Sequence, residues 1–151
     1  MSARRRPGLR RDYARFHRIT TRWMDNDIFG HVNNVQYYSW FDTAINTHLV
    51  EEGGFDPWND RVVGFCVESG CRYFRPVRWP QPVEVGLRVG HLGNSSVRYE
   101  CGIFLPGEEE ACAEGHFVHV FVDRTVERPV PIPANIRRCL EAIARTPAES
   151  D

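Results

Sequence analysis

Within ten residues, DNDIFGHVNN at positions 25–34 sets two carboxylates (Asp25 and Asp27), an imidazole (His31) and two amides (Asn33 and Asn34) directly before an apolar-periodic segment. An aspartate of ordinary pKa, about 3.9, is ionised at neutral pH and can take a proton from water or attack a carbonyl itself. A helix beginning just after it would supply unpaired backbone N–H groups that polarise a carbonyl bound beside them. Gly30 would let the connecting loop turn tightly. Asp25 reads as structural, and His31 as either orienting Asp27 or bracing the loop.

Several elements must position this cluster. FHRITTRW (16–23) alternates well enough for a first strand marked by Phe16, Ile19 and Trp23. From Asn34, the residues Val35, Tyr38, Phe41, Ile45 and Leu49 recur at three and four, predicting a helix that ends near Gly53 and Gly54. Asn33 or Asn34 suits its N-cap. Strands are then expected over 62–74, bent at Gly64 or Gly70, and over 82–92, 97–105 and 111–123, with GNSS (93–96) as a hairpin turn. In the last strand both alternating sets are largely apolar, which predicts two covered faces. A short terminal helix with Ile136, Leu140 and Ile143 follows Pro133. The order implies an α+β domain in which antiparallel strands curl around one long helix. One helix cannot cover both faces of such a sheet, so a homo-oligomer, a dimer or a dimer of dimers, is expected.

Composition removes whole classes of chemistry. The chain has 151 residues, enough for one domain, and a formal net charge of −1. All 19 basic residues are arginine. A lysine Schiff base, a Walker lysine and a Ser-Lys pair are therefore impossible, and no G-x-G-x-x-G supports a Rossmann nucleotide site. The near-neutral charge argues against a nucleic-acid partner, and the arginine-rich residues 1–12 read as a flexible basic tail preceding a domain over 13–151. No apolar run is long enough to span a bilayer, so no membrane partner and a cytoplasmic location are expected. The five cysteines lack C-x-x-C spacing, which suggests small core residues; no metal site is expected.

DNDIFGHVNNVQYYSWFDTA resembles the active-site segment of the hotdog-fold acyl-CoA thioesterases of the 4-hydroxybenzoyl-CoA thioesterase type. YFRPVRWPQPVEVGLRV, HLGNSSVRYE and FVHVFVDRTVERPVPIP extend the likeness over residues 16–145. The resemblance implies a hotdog fold with a five-stranded antiparallel sheet and hydrolysis of an acyl thioester to a free acid and CoA. No cofactor is implied beyond the coenzyme A carried by the substrate, which could also be an acyl-carrier-protein thioester. By position, Asp27 takes the catalytic place and the Asn34 N–H faces the thioester oxygen. Gly30, His31 and Asn33 complete the catalytic segment, with capping assigned to the Asn34 side chain.

Substrate contacts are implied for Tyr37 among the aromatic residues nearby, for Gly64 and Glu68 on a strand that walls a partner's site, and for Ser95 and Ser96 in the hairpin. That hairpin lacks the basic run of some relatives. Two other readings stand beside hydrolysis: a non-catalytic acyl-CoA sensor, and a hotdog enoyl hydratase or dehydratase using Asp27 with His31.

Overall fold

The computed structural model describes residues 6–145. Strand β1 (Arg15–Ile19) leads through a 3-10 turn at Trp23–Asp25 into helix α1 (Asn34–Gly53). Strands β2 (Val62–Tyr73), β3 (Val83–Leu92), β4 (Ser96–Phe104) and β5 (Ala113–Asp123), the two-residue β6 (Arg128–Pro129) and helix α2 (Ala134–Glu141) follow. The sheet is antiparallel in the order β1-β3-β4-β5-β2, with β6 pairing the end of β5 beyond β4. This is the expected hotdog arrangement of one long helix and a curled sheet.

Helix α1 forms where its periodicity predicts, and Gly54, at φ 65, ends it in the left-handed conformation that glycine adopts without penalty. Its buried face, Tyr37, Trp40, Phe41, Ala44, Ile45 and Leu49, packs on Val85, Leu87, Val89, Val97, Tyr99 and Ile103 from the middle of the sheet. Burying Phe41 alone removes enough apolar surface to contribute about 2–3 kcal/mol. The contact is so close that a Cβ at Gly115 of β5 would overlap the Phe41 ring. Helix α2 closes the far end with Ile136 and Leu140, together with Ile143 just beyond it. His48 donates from Nε2 to the Cys139 carbonyl (2.8 Å) while its Nδ1 accepts from Arg15 (3.1 Å), joining both helices to β1.

Several expectations are corrected. The first strand ends at Ile19 rather than 23, and Trp23 is 78% exposed, so it marks no buried face. Of the basic tail, residues 1–5 lie outside the described residues, but the chain is docked from Gly8 onward. Arg10 donates to Glu84 (2.9 Å) and to the Leu105 carbonyl (2.9 Å), with its guanidinium 5.1 Å from the Phe104 ring centre. Strand β2 carries a register shift between Cys66 and Glu68, away from both glycines expected to bend it. In β5 only the set Ala113, Gly115, Phe117, His119 and Phe121 is fully buried as a face. The alternate set is half-buried apart from Val122, because Glu114 and His116 turn it toward solvent. Cys101, Cys112 and Cys139 are core residues, whereas Cys66 is exposed.

Two predictions follow from the packing. Gly115→Val would force the Phe41 ring aside and cost about 1–3 kcal/mol, seen as a lowered Tm. His119 is buried with Nε2 unpartnered among the described residues, and that burial pushes its imidazole from the ordinary 6.5 down to about 4. Because the neutral form is the one that folds well, this contribution is fully present above about pH 6.5 and is lost as pH falls toward 4, by up to about 3 kcal/mol. Denaturant titrations between pH 7 and 4 would show that loss in the wild type and a shallower one in His119→Phe.

Candidate active site

The loop between β1 and α1 is held by a ladder of short-range bonds. Asp27 N–H donates to the His31 carbonyl (3.0 Å), Gly30 N–H to the Asp27 carbonyl (3.0 Å), and Asn33 N–H to the Asp25 carbonyl (2.9 Å). Gly30 takes φ 83, where a side chain would be strained, so the turn needs glycine. Asp25 is buried at 1% exposure, and its carboxylate accepts from Arg22 N–H (2.8 Å) and Nε (2.9 Å). That pairing makes it the structural member of the aspartate pair. Outside the loop, Val32 N–H donates to the Val77 carbonyl (2.8 Å), and Asn26 accepts from Trp79 N–H (3.1 Å). The segment after β2 thereby becomes the loop's second support.

On this frame the Asp27 carboxylate engages both oxygens. Oδ1 accepts from Phe29 N–H (2.8 Å) and Oδ2 from Asn33 Nδ2 (3.2 Å). The cap of α1 is Asn33, whose Oδ1 accepts from Val35 N–H (3.0 Å). The Asn34 side chain, expected to cap, does not, since Asn34 is already the first helical residue. Its N–H, the first of the helix, has no partner among the described residues. The carbonyl of Asn34 accepts from the Tyr73 hydroxyl (3.4 Å).

Below the helix start lies a cleft of about 340 Å³, lined by His31, Val32, Asn34, Tyr37, Tyr73, Phe74, Arg75 and Pro76. Tyr37 and Tyr73 meet edge to face at 5.0 Å between ring centres, and burial pushes the Tyr37 phenol up to about 12, so both walls stay neutral at working pH. His31 Nε2 lies 3.4 Å from the Arg78 guanidinium. Asp27 does not itself line the cleft. It stands beside the helix start, linked to it through Asn33.

The structure therefore brings Asp27, Gly30, His31, Asn33, Asn34 and Tyr37 to one place and leaves four expected residues elsewhere in the same protomer. Ser95 and Ser96 form the β3–β4 turn, where the Ser95 carbonyl accepts from Phe121 N–H (2.7 Å). The Asp27 loop lies beside Gln81, at the opposite end of β3, and ten strand residues separate the two ends by about 30 Å. Gly64 pairs with Phe121 on β5. Glu68 points away from α1, where its carboxylate meets His116 (3.0 Å) and Arg98 (3.8 Å). That cross-strand pairing continues through Glu100 to the buried Arg88. Tyr73 and Phe74 went unrecognised as residues of the cleft. Their only signal was position, in the proline-rich YFRPVRWP that must leave β2 and return past the helix start.

A family model described as the thioesterase-like superfamily matches residues 21–140. Among solved structures, the PA5185 protein from Pseudomonas aeruginosa is 55% identical, with a TM-score of 0.92 over 94% of this chain and 99% of that one. Fold similarity extends to BH1999 gentisyl-coenzyme A thioesterase (23% identity, TM-score 0.74, 83% and 99% covered). It extends also to Slr0204, a 1,4-dihydroxy-2-naphthoyl-CoA thioesterase from Synechocystis (15%, 0.75, 83% and 93%). A comparison with curated proteins finds no match. With the family's match running from the connection after β1 into the terminal helix, the chain belongs to the thioesterase-like superfamily and is a thioester hydrolase of the hotdog fold.

Proposed function

We propose that the protein hydrolyses an acyl-CoA thioester to a free acid and CoA, with Asp27 as base or nucleophile and the Asn34 N–H as the group that polarises the carbonyl. One observation carries this reading: an ordered carboxylate is tied through Asn33 to the start of a helix whose first N–H, without a partner among the described residues, opens on an aromatic-walled cleft. With Asp27 as base, it takes a proton from water as the oxygen bonds to the carbonyl carbon. The charge that develops on the carbonyl oxygen is met by the Asn34 N–H and the helix dipole. The C–S bond then breaks, and the thiolate leaves with the proton returned from Asp27. With Asp27 as nucleophile, its carboxylate oxygen bonds to the carbonyl carbon and the C–S bond breaks to release the thiolate; water then opens the mixed anhydride to the free acid and the Asp27 carboxylate, and the proton set free passes through solvent to the thiolate. Neither route calls on a metal or a resident cofactor. His31 faces Arg78 rather than Asp27, so no observation favours the acid–base pair that a hydratase would use.

The site reads best as shared between two copies of the chain. Strand β2 is a sheet edge of 12 residues with Phe65, Val67 and Tyr73 exposed, a template for pairing with a second strand. Antiparallel pairing of β2 with the partner's β2, centred near its register shift, would bring the partner's Gly64 opposite Cys71, close to the cleft wall at Tyr73. This supports a homodimer, within which Gly64 and Glu68 would serve the neighbouring site. An acyl-carrier-protein thioester remains the second choice of substrate, consistent with a hairpin that offers Ser95 and Ser96 in place of basic residues.

Thiol release from a panel of aliphatic and aromatic acyl-CoAs is expected in the wild type and to fall by about 10²-fold or more in a folded Asp27→Asn variant. Activity retained in that variant would overturn the assignment. Val67→Asp, which places a charge on the β2 edge, is expected to halve the mass measured by light scattering and to remove activity with it. A wild type that already measures as a 17.5 kDa monomer would refute the shared site.

A further inference from the structure

Asn33 makes two bonds that need opposite chemistry. Its Oδ1 accepts from Val35 N–H at 3.0 Å, and its Nδ2 donates to Asp27 Oδ2 at 3.2 Å. Only one orientation of the amide satisfies both. The side chain is anchored from below as well, because Asn33 N–H donates to the carbonyl of Asp25, whose own buried carboxylate is held by Arg22. Asparagine, aspartate and serine cap helices about equally well, so capping alone does not call for an amide. Of the three, only asparagine offers an acceptor and a donor from one planar group.

We propose that Asn33 is a positioning residue: a single amide that sets the spacing between the Asp27 carboxylate and the helix N-terminus, so that nucleophilic oxygen and oxyanion donor face one carbonyl. This rests on the reading of Asp27 given above. Asp27 sits on a loop and the Asn34 N–H on a helix, and of the Asp27 side-chain contacts among the described residues only the one with Asn33 reaches the helix start. The remaining contact, with Phe29 N–H, lies within the loop itself and fixes nothing relative to α1. A displacement of about 1 Å between reacting groups can cost on the order of 10²-fold in rate, so the link acts on kcat far more than on substrate affinity.

The test separates the two bonds. Asn33→Asp keeps a capping acceptor and has no donor for Asp27, Asn33→Ser keeps the acceptor on a hydroxyl one bond too short to reach Asp27 while it caps, and Asn33→Ala loses both bonds. Asn33→Ser is expected to keep Tm close to wild type and KM for the preferred acyl-CoA within about threefold, while kcat falls by about 10- to 100-fold. Asn33→Asp, which sets two carboxylates against each other, is expected to lose more activity than Asn33→Ser, and Asn33→Ala to lose Tm as well. In the background of Asp27→Asn, adding Asn33→Ser is expected to change the residual rate little, since the residue acts through the carboxylate. A wild-type kcat in Asn33→Ser, or an equal loss whether or not Asp27 is present, would overturn the inference. An Asp27→Asn variant with wild-type activity would instead overturn the reading of Asp27 on which it rests.

Discussion

Everything in this molecule depends on burying one 20-residue helix along one face of a sheet while leaving the first turn of that helix open. The two demands pull in opposite directions. Burial rewards close approach, which is why Gly115 has no room for a side chain beneath Phe41. An open N-terminus leaves backbone donors without partners, which costs free energy unless a ligand or solvent meets them. The conflict is resolved by placing the helix start at the mouth of a cleft and satisfying one donor, Val35 N–H, with a side chain from the loop before it.

The loop is rigid for reasons that lie outside the reacting groups. Buried Asp25 and its Arg22 clamp fix the strand exit, Val77 and Trp79 brace the loop from the segment after β2, and Gly30 supplies the one left-handed turn. Asp27 thus reaches the helix start already oriented. In the proposed reaction such preorganisation would let the carboxylate act without free energy being spent on ordering it when substrate arrives.

The span of the helix was legible, since its apolar period and its terminal glycine pair act locally, and the hairpins showed for the same reason, although Val35, counted on the apolar face, is exposed. The first strand was misread because Trp23 looks like a core residue by type, yet packs edge to face on Trp79 at the surface. The docking of Arg10 was hidden, because its partners Glu84 and Leu105 stand about 75 and 95 positions away. Choosing Asn33 over Asn34 as cap needed the helix start to within one residue, finer than periodicity resolves. The cleft wall at Tyr73 was equally invisible, since it exists only after β2 has been carried back past the helix start.

A crystal structure of the Asp27→Asn variant with its preferred acyl-CoA tests the central claim most directly. The account predicts the thioester oxygen within about 2.7–3.1 Å of the Asn34 nitrogen, and residue 27 facing the carbonyl carbon directly or through one water. A thioester seated away from α1, with the Asn34 N–H turned to solvent, would contradict it.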